Sequence, residues 1–253
     1  MMPALPEPFL ARPIAHRALH DGNVTRAENN LRAIDAAIAG RYGIEIDLQL
    51  SQDGVAMVFH DYALDRLTDA RGPIAQRDAA ALGALRFGTG EVGIPTLSEV
   101  LARVDGRAPL LIELKDQDGA MGPKIGALEA ATARALDGYG GPVALMSFNP
   151  HSVVRLADLC PGIPRGLTTG GWADEDDWPV PAARRAELRE IPDYARTGAA
   201  FISHQWTDLG RPRVGELKAQ GAHILCWTVR SPEAERTARA VADNITFEGY
   251  RPA

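Results

Sequence analysis

Apolar runs of strand length alternate with longer stretches of helical periodicity along most of the chain, a pattern that predicts repeated βα units around a parallel sheet. Residues 13–16 (PIAH) read as a first short strand. Residues 43–50 (GIEIDLQL) and 55–60 (VAMVFH) read as two more, joined by SQDG, in which Asp53-Gly54 is a turn signal. Further strands are expected at 110–115, 142–147, 163–167, 199–203, 222–227 and 244–247. Between them, 28–39 carries Leu31, Ile34 and Ile38 at helical spacing, with Gly40 suited to the helix end. Thr96 and Glu99 form a capping box in front of LSEVLARV. Residues 120–136, 212–220 and 232–242 are also helical in pattern, and Asn149-Pro150 can cap and start a helix to about 159. Residues 61–95 interrupt the alternation with loop-rich punctuation and one short helix at about 77–85, and 168–197 reads as irregular.

About eight strands with intervening helices is the tally of a TIM (β/α)8 barrel. The expected organisation is a single domain over 1–253, with a small insertion at about 61–95 after the second barrel strand. A doubly wound open sheet is the alternative, and it would usually carry a Gly-rich first turn, which AHRALHDG at 15–22 is not. With 253 residues and 45% apolar content the chain can bury one large core.

The strands also carry charge. Residues two apart in a strand share a face, so Glu45 and Asp47 point one way while Ile44, Ile46 and Leu48 point the other. Glu113 and Lys115 repeat this near the end of LLIELK. On a barrel the C-terminal strand ends form the active face, so all four converge on one pocket with His16 and Arg17 from the first strand. Three carboxylates together raise one another's pKa values unless a positive charge sits among them. A divalent cation meets that need. With only oxygen ligands and no nearby Cys or paired His, Mg²⁺ or Ca²⁺ suits the set better than zinc. The competing reading is a buried ion network in which Glu45 pairs with Arg or Lys. Independent salt bridges rarely gather acids, bases and imidazoles at one end, and here His16, His60, Arg17 and Lys115 join the acids. His16 and His60 are the candidates for proton transfer. His20, His151, His204 and His223 read as structural hydrogen bonders. Arg17 and Lys115 supply the cationic donors that a phosphate requires.

Composition narrows the class further. The formal charge is −6 with no dense basic cluster, which argues against nucleic acid as a partner. Early prolines and an acidic residue replace the basic start and apolar core of a secretory signal, no run has the length of a membrane span, and Cys160 and Cys226 match neither a metal nor a disulfide pattern. A cytoplasmic protein acting on a small molecule is expected, with oligomeric state open.

AHR at 15–17, EN at 28–29, EIDLQLSQDG at 45–54, VFHD at 58–61, IPTLSEVL at 94–101, IELK at 112–115, SFNP at 147–150 and CWTV at 226–229 resemble the glycerophosphodiester phosphodiesterases, in order through nearly the whole chain. The resemblance implies a TIM-barrel hydrolase in which Glu45, Asp47 and Glu113 bind a divalent metal and His16 and His60 act as general acid and base. Arg17 and Lys115 would contact the phosphate. Trp227 would face the pocket mouth beside the substrate's alcohol part, with core packing as the competing reading. Glu28 and Asn29 would cap a helix, orient Arg17 from behind, or both. The implied reaction, in lipid and glycerol metabolism, converts glycerophosphodiesters such as glycerophosphocholine or glycerophosphoethanolamine to glycerol 3-phosphate and an alcohol. Its nucleophile is either the glycerol 2-hydroxyl, through a cyclic phosphate, or water.

Some positions depart from that family. Ala18 follows HR where glycine is common, and His20 comes shortly after. Phe247-Glu248-Gly249 stands where Thr-Asp or Thr-Asn is usual, and Arg230 follows WTV where Asn is frequent. These changes are expected at the pocket rim, where they bear on the choice of alcohol. The alternatives are a non-catalytic barrel that binds a phosphate ester and a phosphodiesterase for a different diester. Against the pure binder stands the pair of imidazoles, which binding does not need. A barrel hydrolase of amides or esters would carry HxH on its first strand, and no such pattern is present. The acidic run at 174–177 reads as a solvated loop, with a partner surface as the sharper alternative.

Overall fold

The computed structural model describes residues 3–173 and 180–252. Its strands are β1 (Ile14–Ala15), β2 (Gly43–Leu50), β3 (Ala56–Val58), β4 (Leu110–Leu114), β5 (Val143–Ser147), β6 (Arg165–Thr169), β7 (Phe201–Gln205), β8 (His223–Val229) and β9 (Asn244–Phe247). All but β3 run parallel, and β1 pairs with both β2 and β9, which closes an eight-stranded barrel. The helices are α1 (Pro8–Ala11), α2 (Leu31–Ala39), α3 (Ala79–Leu82), α4 (Leu97–Val104), α5 (Ala127–Leu136), α6 (Pro150–Leu159), α7 (Ala182–Arg189), α8 (Tyr194–Thr197), α9 (Pro212–Ala219) and α10 (Pro232–Ala238). Among the described residues, no helix is long and apolar enough to cross a membrane.

The period-2 alternation of each strand sorts its side chains between two cores. Ile44, Ile46, Leu48, Leu110, Ile112 and Leu114 face outward and are buried beneath the helices. Leu111, Ala144, Phe201 and Leu225 face inward and fill the barrel with Ile14, above Phe9 of α1. Asn244, at the start of β9, donates to the carbonyls of Phe9 and Arg12, which fixes α1 across the N-terminal end of the strands. Each fully buried aliphatic side chain contributes about 1.5–3 kcal/mol. That scale of burial is what lets the opposite end carry buried charge.

β2 runs past the rim and doubles back. β3 pairs with it antiparallel, Leu48 against Val58 and Leu50 against Ala56. The Phe59 N–H then reaches the Asp47 carbonyl at 3.0 Å, so the return of the hairpin brings His60 down beside the carboxylate strand. Beyond it, Phe59, Leu64, Ile74, Leu82, Phe87 and Ile94 build a small core of their own, with α3 as a short helix inside the expected 77–85.

Three stretches differ from the sequence pattern. α2 begins at Leu31 with Asn30 as its cap, not at Glu28, because the side chains of Glu28 and Asn29 are engaged elsewhere. α5 begins at Ala127: the Asp116 carboxylate gathers the N–H groups of Asp118, Gly119 and Met121 and folds the preceding residues into a loop. The expected irregular stretch 168–197 holds β6's end, α7 and α8. α7 escapes an amphipathic reading because only Leu188 of AARRAELR is buried. The acidic run at 174–177 lies outside the described residues.

Candidate active site

Parallel register sets Asp47 of β2 directly opposite Glu113 of β4, and Glu45 lies two residues before Asp47 on the same inward face. One ligand oxygen from each of the three carboxylates lies within 4.8 Å of the others, and all three side chains are buried. Glu45 Oε2 accepts the Arg17 N–H at 2.8 Å. Asp47 Oδ2 accepts Asn29 Nδ2 at 2.9 Å, and the Asp47 N–H donates to Asn29 Oδ1 at 3.1 Å. Asn29 takes a left-handed backbone, φ +57°, to make that double contact. Lys115 Nζ donates to Glu113 Oε1 at 2.9 Å and stands 3.5 Å from Asp47, while Arg17 Nε stands 3.6 Å from Asp47.

The charges do not balance evenly. Burial and the neighbouring Asp47 and Glu113 push the Glu45 carboxyl well above the usual range. Burial also penalises the Asp47 carboxylate, but the charges of His60, Lys115 and Arg17 outweigh it and hold that group low. Desolvation works against the Lys115 ammonium, yet Glu113 and Asp47 raise it overall. Arg17 and Lys115 are thus the two permanent cations beside three buried carboxylates, and among the described residues the Glu45 carboxylate accepts a hydrogen bond from a backbone N–H alone. A hard divalent ion is the charge such an all-oxygen set accommodates. The donor set therefore fits one divalent cation.

Each histidine sits against a carboxylate. His16 Nδ1 lies 2.7 Å from Glu248 Oε2, and His60 Nδ1 lies 2.7 Å from Asp61 Oδ1. Burial lowers the His16 pKa to about 4, against the opposing hydrogen bond to Glu248. Asp61 also accepts from Arg66 Nε at 2.7 Å, Arg66 Nη2 donates to Glu28 Oε1 at 2.6 Å, and Arg17 Nη1 donates to the same oxygen at 2.8 Å. Burial alone would raise the Glu28 carboxyl, but Arg66 and Arg17 bring it down to about 2.

A cavity of about 820 Å³ opens here, lined by His16, Arg17, Glu45, Asp47, His60, Glu113, Lys115 and Trp227. Glu28 and Asn29 stand behind it, and Asn30 rather than either of them caps α2: the Glu28 carboxylate accepts from Arg17, and Asn29 donates to Asp47. Trp227 both lines the cavity and packs, with Nε1 donating to the Ser203 carbonyl at 2.9 Å and its ring edge-on to Phe148. His204 is a buried structural histidine between Thr169 and Asp208. Sequence reasoning gave no role to Asp61 or Arg66, and read Glu248 only as a rim position bearing on the choice of alcohol. The VFHD run already placed Asp61 beside His60, but Arg66 lies in the patternless insertion, and only the departure at 247–249 pointed to Glu248.

The model of the glycerophosphoryl diester phosphodiesterase family matches residues 16–246. A glycerophosphodiester phosphodiesterase of Caldanaerobacter subterraneus is 29% identical over 243 residues, covering 92% of this chain and 91% of its own. An Oleispira antarctica phosphodiesterase, solved in complex with the product sn-glycerol-3-phosphate, superposes with a TM-score of 0.76 at 25% identity, covering 95% of this chain and 94% of that one. The glycerophosphodiester phosphodiesterase of Parabacteroides distasonis shares the fold, with a TM-score of 0.72 at 23% identity over 93% of this chain and 92% of that one. With a closed barrel, an acidic cluster at its C-terminal mouth and a family match across nearly the whole length, this chain belongs to the glycerophosphoryl diester phosphodiesterase family of phosphoric diester hydrolases.

Proposed function

We propose that the protein hydrolyses glycerophosphodiesters to glycerol 3-phosphate and an alcohol, with His16 and His60 moving the protons and Glu45, Asp47 and Glu113 holding one divalent cation, Mg²⁺ or Ca²⁺. The observation that carries this reading is that two carboxylate-backed imidazoles and three clustered carboxylates line a single cavity. The Oleispira relative, bound to sn-glycerol-3-phosphate, supports the choice of product.

Charge supports the reading too. Three carboxylates, Arg17, Lys115, a divalent ion and a phosphodiester monoanion sum to neutrality. A bound cation would polarise a phosphoryl oxygen and supply a fixed positive charge to meet the negative charge that builds on oxygen in the transition state. Arg17 and Lys115 then turn part of their hydrogen-bonding capacity from the carboxylates to the remaining phosphate oxygens. One imidazole removes the proton of the nucleophile, either water or the glycerol 2-hydroxyl, and the other protonates the departing alkoxide; a cyclic phosphate formed by the 2-hydroxyl is then opened by water to glycerol 3-phosphate. Trp227 offers its face to the alcohol, and Glu28 and Asn29 hold Arg17 and Asp47 in register.

The test is release of glycerol 3-phosphate from glycerophosphocholine and glycerophosphoethanolamine, with coupled detection, in EDTA and after adding Mg²⁺ or Ca²⁺. EDTA should abolish turnover, and His16→Ala and His60→Ala should each lower kcat by roughly 10²–10⁴-fold. Activity that survives both treatments, or tight binding of the diester without turnover, would overturn the proposal.

A further inference from the structure

Glu248 has no part in the chemistry outlined so far, yet it is built into the site from three neighbouring strand ends. β1 and β9 run side by side with Ala15 opposite Phe247, and the His16 N–H donates to the Phe247 carbonyl at 2.9 Å. The residues just past those two ends, His16 and Glu248, therefore emerge side by side, with His16 lining the cavity. One carboxylate oxygen, Oε2, lies 2.7 Å from His16 Nδ1 and 3.7 Å from His20 Nε2. The other, Oε1, accepts Arg230 Nε from the end of β8 at 2.6 Å, and the Glu248 N–H donates to the Val229 carbonyl at 3.0 Å. Burial pushes the Glu248 carboxyl up, but the hydrogen bonds from His16 and Arg230, with His20 nearby, outweigh it and keep the group ionised. His20, Arg230 and Glu248 are positions at which the chain departs from its family resemblance. His20 and Arg230 both approach the Glu248 carboxylate, which in turn contacts His16.

An ionised carboxylate can only accept a hydrogen bond, so the ring nitrogen facing it carries the proton. The neutral imidazole then has its lone pair on Nε2, the nitrogen left to work in the cavity that His16 lines. Without that anchor the ring is free to turn and to divide between two tautomers, one of which offers no lone pair at Nε2. We infer that Glu248 is a positioning residue for His16, selecting its Nδ1–H tautomer and fixing the ring so that Nε2 meets the substrate, with Arg230 holding Glu248 in place. The catalytic consequence rests on the assignment of proton transfer to His16; the tautomer does not.

Side-chain ¹⁵N–¹H correlation spectra of the whole protein at neutral pH test the structural half. The His16 resonances, identified by their loss in His16→Asn, should show a protonated Nδ1 and a bare Nε2, and Glu248→Leu should move the ring to a mixture or to Nε2–H. A wild-type His16 with its proton on Nε2 would overturn the inference, and this result needs no variant at Glu248 to fold. Kinetics test the functional half. Glu248→Gln should lower kcat by roughly 10–100-fold with KM within about twofold, and Glu248→Asp should recover to within about tenfold of wild type. In a His16→Ala background, Glu248→Gln should cost nothing more, because its effect runs through the missing ring. An equal further loss there would show that Glu248 acts elsewhere. A wild-type protein that turned over no glycerophosphodiester would sink the reading of the reaction, and the spectra would still judge Glu248.

Discussion

Glu28 is the residue on which the two cationic arms of the site converge. Its carboxylate receives Arg17 from the first barrel loop and Arg66 from the insertion, and Asn23 Nδ2 donates to it at 2.9 Å. Because its pKa is drawn from 4.5 to about 2 in the fold, the stability it contributes is present above pH 4.5 and is lost as pH falls through about 2. That shift corresponds to on the order of 3 kcal/mol. Glu28→Gln should therefore unfold at lower urea than wild type at pH 7, and the gap should close on acidification to about pH 2. A gap that stays constant with pH would show that the ion pairs contribute nothing. The EN pair at 28–29 was visible in the sequence, which left its work open between capping a helix and orienting Arg17. Helical periodicity runs smoothly through it, and nothing in a one-dimensional pattern tells a capping side chain from one reaching back to a strand 18 residues away, as Asn29 does to Asp47.

At the level of elements, local signals were legible wherever they were local in cause. The Thr96 hydroxyl accepts the Glu99 N–H, and Glu99 returns the bond to the Thr96 N–H, the capping box that the spacing announced. Thr96→Ala should cost about 1 kcal/mol in a chemical melt, while Thr96→Ser should be nearly silent. Packing inside the barrel was not legible. Gly166 of β6 lies in register with Phe201 of β7, and a Cβ at Gly166 would run into the Phe201 ring. The glycine makes room for the largest side chain of the inner core. Gly166→Ala should destabilise by about 1–3 kcal/mol through overpacking. Phe201→Leu leaves a cavity when made alone, and it should relieve part of the cost when combined with Gly166→Ala. Additive losses in the double variant would mean that the two side chains do not share that space.

The molecule as a whole sets its aliphatic cores against one charged mouth, and the alternation of Ile44, Ile46 and Leu48 with Glu45 and Asp47 made that division readable from the sequence. What could not be read is how the acids divide their charge, because that depends on burial and on cations arriving from separate elements. Asp47 is held ionised and Glu45 is driven toward its protonated form. For a carboxyl whose folded pKa is raised, the native state binds the extra proton, so in the metal-free protein its contribution to stability is present below pH 4.5 and is lost as pH rises through the folded pKa. A cation that takes Glu45 as a ligand displaces that proton, so its binding tightens as pH rises. At a free-ion concentration 100 times Kd, stabilisation is about 2.7 kcal/mol, or roughly 5–10 °C in Tm for a chain of this size. Mg²⁺ or Ca²⁺ at fixed concentration should therefore raise Tm more at pH 8 than at pH 5.5. Glu45→Gln should shrink the shift and flatten its dependence on pH, because the proton that competes with the ion is gone. Equal shifts at the two pH values in the wild type, or a full shift retained in Glu45→Gln, would place the ion somewhere other than among Glu45, Asp47 and Glu113.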